Sequence, residues 1–196
     1  MRRRDALMLA FAAAFSARAG ADQLPFALAV AQGAEARTLK PETYDPAYRA
    51  IGYPMGDVPD DRGVCADVVI RAFRNAGVDL QVLVHQDMTR AFAAYPKVWG
   101  LKRPDRNIDH RRVLNLERFF TRRGARLPLS DAPADYLAGD VVSWRLTGSG
   151  LPHIGVVSTR TGPSGRPLVV HNIAAGSQLE DVLFAWPRAG RFRWGG

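Results

Sequence analysis

The chain has 196 residues, 47% of them apolar and 23% charged, enough for one domain with its own core. A formal charge of +8 directs attention to polyanionic partners, cell-wall polymers or an anionic membrane face before nucleic acid, against the plainer alternative of a solvated basic surface. One cysteine excludes an intramolecular disulfide, and no stretch beyond residue 21 is apolar enough to cross a bilayer.

Residues 1–21 read as a signal peptide. Met1-Arg2-Arg3-Arg4 is a basic start, Ala6 to Ala17 an apolar stretch too short to span a membrane, and Ala17-Arg18-Ala19 and Ala19-Gly20-Ala21 are small-residue cleavage sites. The adjacent arginines also fit the twin-arginine export route. Cleavage takes away four arginines and one aspartate, leaving a basic mature chain of formal charge +5 that is expected to be periplasmic or secreted. Residues 22–43 form a leader that becomes an early helix, and 44–196 are expected to form a single domain.

Pro41, Pro46, Pro54 and Pro59, with Gly52 and Gly56, make 41–62 ordered loop or short extended segments, in which Tyr44, Tyr48 and Tyr53 offer walls for a cleft. From Cys65, apolar residues recur at helical spacing through Val68, Val69, Ala72, Phe73 and Ala76, and Gly77 supplies a left-handed cap. A second helix is predicted over 86–94. A third runs from Val113 to Arg123, with Asp109 as an upstream cap and Gly124 as its stop. The loop 96–112 between them is long for a compact domain, and Trp99 and Ile108 argue for an ordered lid or substrate rim. The whole of 82–127 reads as an insertion. From Gly139 the period switches to two, predicting strands over 140–146, 153–158, 167–173, 182–186 and 191–194. Helices first and about five antiparallel strands second define an α+β fold, with the Cys65 helix packed on the sheet.

Chemistry concentrates at three residues. A thiol at a helix start faces unpaired backbone N–H groups, whose partial positive charge favours the thiolate. The competing reading is an inert core thiol, because Cys65 lies on the core-facing stripe of its helix. Of the four histidines, His153 and His171 fall in consecutive predicted strands, 18 residues apart. A hairpin centred on Gly162 places them directly opposite each other on one face, where His171 orients His153 as a base. That geometry depends on register, since a one-residue slip sends one ring to the other face. Cys65, His153 and His171 also suit a three-ligand zinc site with water as fourth ligand. The close-spaced ligand pair usual in zinc sites is absent, so neither metal nor cofactor is expected.

Four blocks carry a family resemblance: Gly63-Val64-Cys65-Ala66-Asp67-Val68-Val69, Ala138-Gly139-Asp140-Val141-Val142-Ser143-Trp144, Pro152-His153-Ile154-Gly155-Val156-Val157 and Leu168-Val169-Val170-His171-Asn172. Their order resembles the NlpC-type cell-wall peptidases of the papain-like superfamily. The Asp-Cys-Ser-Gly start common there is replaced here by Val64-Cys65-Ala66-Asp67. Asp57-Val58-Pro59, Asp61-Arg62-Gly63-Val64-Cys65, Asn107-Ile108-Asp109-His110-Arg111-Arg112 and Leu151-Pro152-His153-Ile154-Gly155 resemble, more narrowly, a bacterial domain-of-unknown-function family of that superfamily.

The resemblance implies a papain-like fold and a Cys65-His153-His171 triad acting on amide bonds of peptidoglycan or another cell-wall peptide, with no nucleic-acid partner. It implies Asp61, Arg62, Asp67, Asp109, His110, Arg111 and Asn172 as rim residues that bind substrate, the arginines suiting stem-peptide carboxylates. An acyltransferase using the same thioester, and a non-catalytic cell-wall-binding or partner-binding domain, are the alternatives.

Overall fold

The period-two pattern after Gly139 folds into antiparallel strands in a computed structural model, which describes residues 25–195. The expected signal peptide and its cleavage sites lie outside the described residues. Helix α1 is seen over 25–37, followed by β1 (Thr43–Tyr44) and β2 (Arg62–Gly63), which pair in parallel. Then come α2 (Cys65–Asn75), α3 (Leu80–Ala91) and α4 (Val113–Arg122). The strands β3 (Arg126–Leu127), β4 (Val141–Arg145), β5 (Pro152–Thr161), β6 (Pro167–Asn172), β7 (Ser177–Glu180) and β8 (Arg188–Phe192) form a six-stranded antiparallel sheet in the order β3-β8-β4-β5-β6-β7.

Two predicted elements need correction. Helix α3 starts at Leu80, not at residue 86, because the Asp79 side chain accepts the Gln81 N–H at 2.9 Å and caps it. The predicted strand 182–186 is not a strand, and Ser177–Glu180 pairs with β6 in its place. Leu183 is fully buried, with Val182, Phe184 and Trp186 packed around it. This run lies across the far face of the sheet, so burial and not strand pairing accounts for its apolar character.

The sheet therefore has a core on each face. On one side α2 and α4 bury Val68, Val69, Phe73, Leu116, Phe119 and Phe120 against Val141, Ile154, Val156, Val170 and Phe192. On the other, Val142, Trp144, Val157 and Val169 pack with Tyr136 and Leu183. Alternation along β5 thus sends Ile154 toward α2 and His153 toward Trp144, its direct cross-strand partner.

Register on β6 decides where the histidines meet. His171 pairs with Gly155, not with His153, because Thr161 pairs with Pro167 and so centres the hairpin on Ser164, beyond Gly162, and the ladder shift between Val157 and Thr161 takes back only half of that offset. The shift preserves parity, so the two histidines are diagonal neighbours on one face. Gly155 is required at this point: a Cβ there lies 2.7 Å from the Val170 carbonyl oxygen and 3.2 Å from the His171 Cβ. Gly155→Ala is expected to spread β5 from β6 and to cost about 1–3 kcal/mol, the usual penalty of overpacking, read from urea denaturation midpoints.

Candidate active site

The start of α2 is built by Asp67. Its carboxylate accepts the Val64 N–H at 2.7 Å, and the Val64 carbonyl accepts the Asp67 N–H at 2.9 Å, closing the first turn. Cys65 opens the helix and is only 6% exposed. Burial pushes the thiol up to about 12, against a smaller lowering from the backbone N–H groups of Ile154, Ala66 and Cys65 itself and with the Asp67 charge adding to the rise. The expected lowering by the helix start is present and is overridden by desolvation. Tyr44 stands close enough for the Cys65 charge to raise its own pKa, after the larger effect of burial.

Ile154 connects the thiol to the histidines, since His153 is the residue before it. His153 Nε2 lies 3.0 Å from His171 Nδ1, with the rings nearly perpendicular. Both are buried, at 3% and 0% exposure. Trp144 stacks obliquely on His153 at 5.8 Å between centroids, and Trp186 meets both rings edge-on at 5.6 and 5.8 Å. In this aromatic box burial drives His153 down to about 3, with the neighbouring His171 adding to the effect, and it lowers His171 as well. A Glu180 oxygen lies 2.8 Å from His171 Nε2, oblique to the ring N–H direction. Its proximity opposes the fall at His171 without cancelling it.

The rim residues separate into two groups. Asp61 and Arg62 remain at the surface, with Arg62 reaching Asp45 at 3.4 Å. The other five are buried and do not form a rim. Asp67 and Arg111 make a bidentate ion pair at 2.8 Å for each bond, a match of planar guanidinium to carboxylate. Asp109 accepts from the Asp105 N–H at 2.5 Å and from Arg112 at 3.0 Å; it holds its own loop and does not cap α4, whose N-cap is Arg112. His110 is buried beside Arg74 and Arg111, and desolvation, then those two charges, bring it to about 3. Asn172 is also buried and reaches the Gly63 carbonyl at 3.4 Å, tying the end of β6 to the turn before Cys65.

The loop expected as a lid lines a cleft of about 800 Å³ with Tyr48, His85, Lys102, Arg103, Asp105 and Arg106 on its walls. None of the three triad candidates lines that cleft. Asp105 is engaged there by the Tyr48 hydroxyl at 3.1 Å. Among the described residues no group of three or more His, Cys, Asp or Glu side chains is arranged to hold a metal ion.

Glu180, Trp144 and Trp186 are the neighbours of the histidines that residue patterns did not single out as functional. Glu180 is legible only once Ser177–Glu180 is recognised as a strand, because then it shares the face of His171 across β6 and β7. Trp186 sits in the run misread as a strand.

A family model described as "Domain of unknown function (DUF1287)" matches residues 31–194. The chain belongs to this family. The match takes in Cys65, His153, His171 and Glu180. The chain is also 58% identical over 167 residues to "Uncharacterized protein YijF" of Escherichia coli (strain K12), covering 85% of this chain and 81% of that one. A solved structure, NlpC1 from Trichomonas vaginalis, aligns with 84% of this chain and 42% of that chain, at 12% identity and a TM-score of 0.45.

Two measurements check the buried electrostatics. Asp67→Ala leaves the Arg111 charge buried without its partner and is expected to cost about 3–5 kcal/mol in urea denaturation. Stability is also expected to fall on both sides of neutral pH. Below about 6.5 the unfolded chain protonates the imidazoles of His110 and His153 while the folded chain resists until about 3, so stability is lost across that window. Above about 9 the unfolded thiol ionises while the folded one resists until about 12, so stability falls again. Cys65→Ala should remove the loss that begins near pH 9, leaving the acid limb and the further loss above about 10 that the raised Tyr44 and Tyr95 phenols contribute.

Proposed function

We propose that the protein is an exported cysteine hydrolase of papain-like, NlpC-type fold that cuts amide bonds in peptidoglycan stem peptides through a thioester on Cys65. The observation that carries this reading is the His153–His171 contact at 3.0 Å, with Ile154, the residue after His153, packed in one core with Cys65. Thiol, base and orienter follow one another along the chain in the order that nucleophilic acyl transfer uses, with the histidine pair on the face of β5 turned away from α2.

The thiol and the His153 imidazole both start neutral, because burial opposes charge on each. As sulfur attacks the carbonyl carbon, its proton passes to His153 through a relaying water, since the ring lies on the Trp144 side of β5 and the thiol on the α2 side, and the carbonyl electron pair moves to oxygen. N–H groups at the start of α2 stabilise that oxyanion. His153 then protonates the amine as the C–N bond breaks, leaving a thioester. Water attacks the thioester, gives its proton to His153, and the departing sulfur recovers it. The sum is amide plus water to acid plus amine.

The substrate class rests on the resemblance of the motif blocks, on the basic mature chain and on the cleft. Lys102, Arg103 and Arg106 line that cleft against one acid, Asp105, and suit a peptide with free carboxylates. A basic chain carrying a cleavable leader fits work outside the cytoplasm. One observation favours a second reading: the 6% exposure of Cys65 also describes an inert core thiol in a non-catalytic binding domain.

Incubation of purified peptidoglycan with the mature protein, followed by mass spectrometry, separates the two. The hydrolase reading expects new stem-peptide fragments with the wild type and none with Cys65→Ala. Fragments that persist in the variant, or no fragments from either protein, sink it. With a soluble stem peptide, Lys102→Ala/Arg103→Ala should raise KM several-fold while kcat holds, the signature of lost uniform binding.

A further inference from the structure

We infer that Glu180 is a positioning residue that acts through His171 to decide which nitrogen of His153 carries the proton. The argument follows hydrogen-bond roles along three side chains. An ionised carboxylate only accepts hydrogen bonds. With a Glu180 oxygen 2.8 Å from His171 Nε2 but off its N–H direction, a small rotation of the half-exposed carboxylate makes it the acceptor that keeps the neutral ring's hydrogen on that nitrogen. Its lone pair is then on Nδ1, which faces His153 Nε2 at 3.0 Å and acts there as an acceptor. His153 Nε2 must therefore be the donor. Its Nδ1 is left unprotonated, the only nitrogen of the pair able to take a proton from a thiol.

Burial makes the chain of roles strict. His171 is fully buried and His153 nearly so, hence both stay neutral and no water competes for the shared hydrogen bond. The Trp144 and Trp186 rings around them offer no acceptor to a ring nitrogen except through their π faces. Glu180, in contrast, is 46% exposed and stands on β7, at one edge of the sheet. It is the link through which a solvated charge polarises a buried pair. Its oblique approach to His171 is within reach of a small side-chain rotation, which half-exposure permits.

The wiring deepens the hydrolase reading and rests on it only for the catalytic consequence. Proton location is measured directly by ¹⁵N–¹H correlation spectra of the full mature chain labelled at histidine, in the neutral range, for the wild type, Glu180→Ala and Glu180→Gln. The wild type is expected to carry the hydrogen on Nε2 of both His153 and His171. Glu180→Ala should lose that preference at both rings, with backbone spectra otherwise kept, since the side chain is half exposed. Glu180→Gln, which presents an amide oxygen as acceptor, should restore it.

With a stem peptide that the wild type cleaves, Glu180→Ala should lower kcat about tenfold or more and leave KM unchanged, the range seen when an outer partner of an imidazole is removed. A wild-type His153 with its hydrogen on Nδ1, or an alanine variant with both tautomers unaltered, overturns the inference. If the tautomers respond as expected while the wild type cleaves no peptide, the hydrolase reading fails and the wiring stands.

Discussion

The carboxylate of Asp67 sets the position of everything that follows it. One side chain accepts the Val64 N–H and both facing N–H groups of Arg111, so the first turn of α2 is anchored to the turn at Asp109–Arg111. One helical turn further, Arg71 reaches Glu42, Asp57 and the carbonyls of Val58, Pro59 and Arg62. These two ionic contacts occupy the polar side of a helix whose apolar side lies on the sheet. That explains an amphipathic helix with residues Cys65 to Phe73 all buried. Rotation about its axis is blocked on both sides, and the direction of the Cys65 thiol is set with it.

Desolvation governs the chemistry of the centre. The same packing that orients Cys65, His153 and His171 keeps all three uncharged, and the aromatic box of Trp144 and Trp186 extends this to the histidine pair. A neutral thiol and a neutral imidazole pair are a different starting point from the thiolate that a helix N-terminus by itself favours. In the proposed hydrolysis, proton transfer accompanies bond formation to carbon. The orientation of His153 then matters more than its basicity, which is where His171 and the half-exposed Glu180 contribute.

The candidate site was legible wherever chemistry depends on parity and unreadable wherever it depends on a distant partner. Even spacing put His153 and His171 on one face, and that survives the ladder shift because a displacement of two residues keeps the face. Direct opposition did not survive, because the turn is centred on Ser164 and the irregularity beyond Val157 takes back only part of that offset, which nothing local announces. The charged residues around Cys65 looked like a substrate rim. They are internal instead: Asp67 finds Arg111 44 residues away, and a pairing of that length leaves no periodic trace in the chain. Glu180 was hidden for a related reason. The apolar run 182–186 imitates a strand, and the more polar Ser177–Glu180 is the segment that pairs.

Taken alone, the sequence determined the α+β order, the start of a helix at Cys65, the caps at Gly77 and Gly124 with their positive φ angles, and the shared face of two histidines. These follow from local backbone sterics and from the partition of apolar side chains, which act over a few residues and leave a periodic signature. Only the tertiary structure decided that the thiol is buried and held protonated, that five presumed rim residues are internal and that Glu180 reaches His171. Each of these depends on which segments exclude water from one another, a property of the packed chain that no short stretch of residues carries.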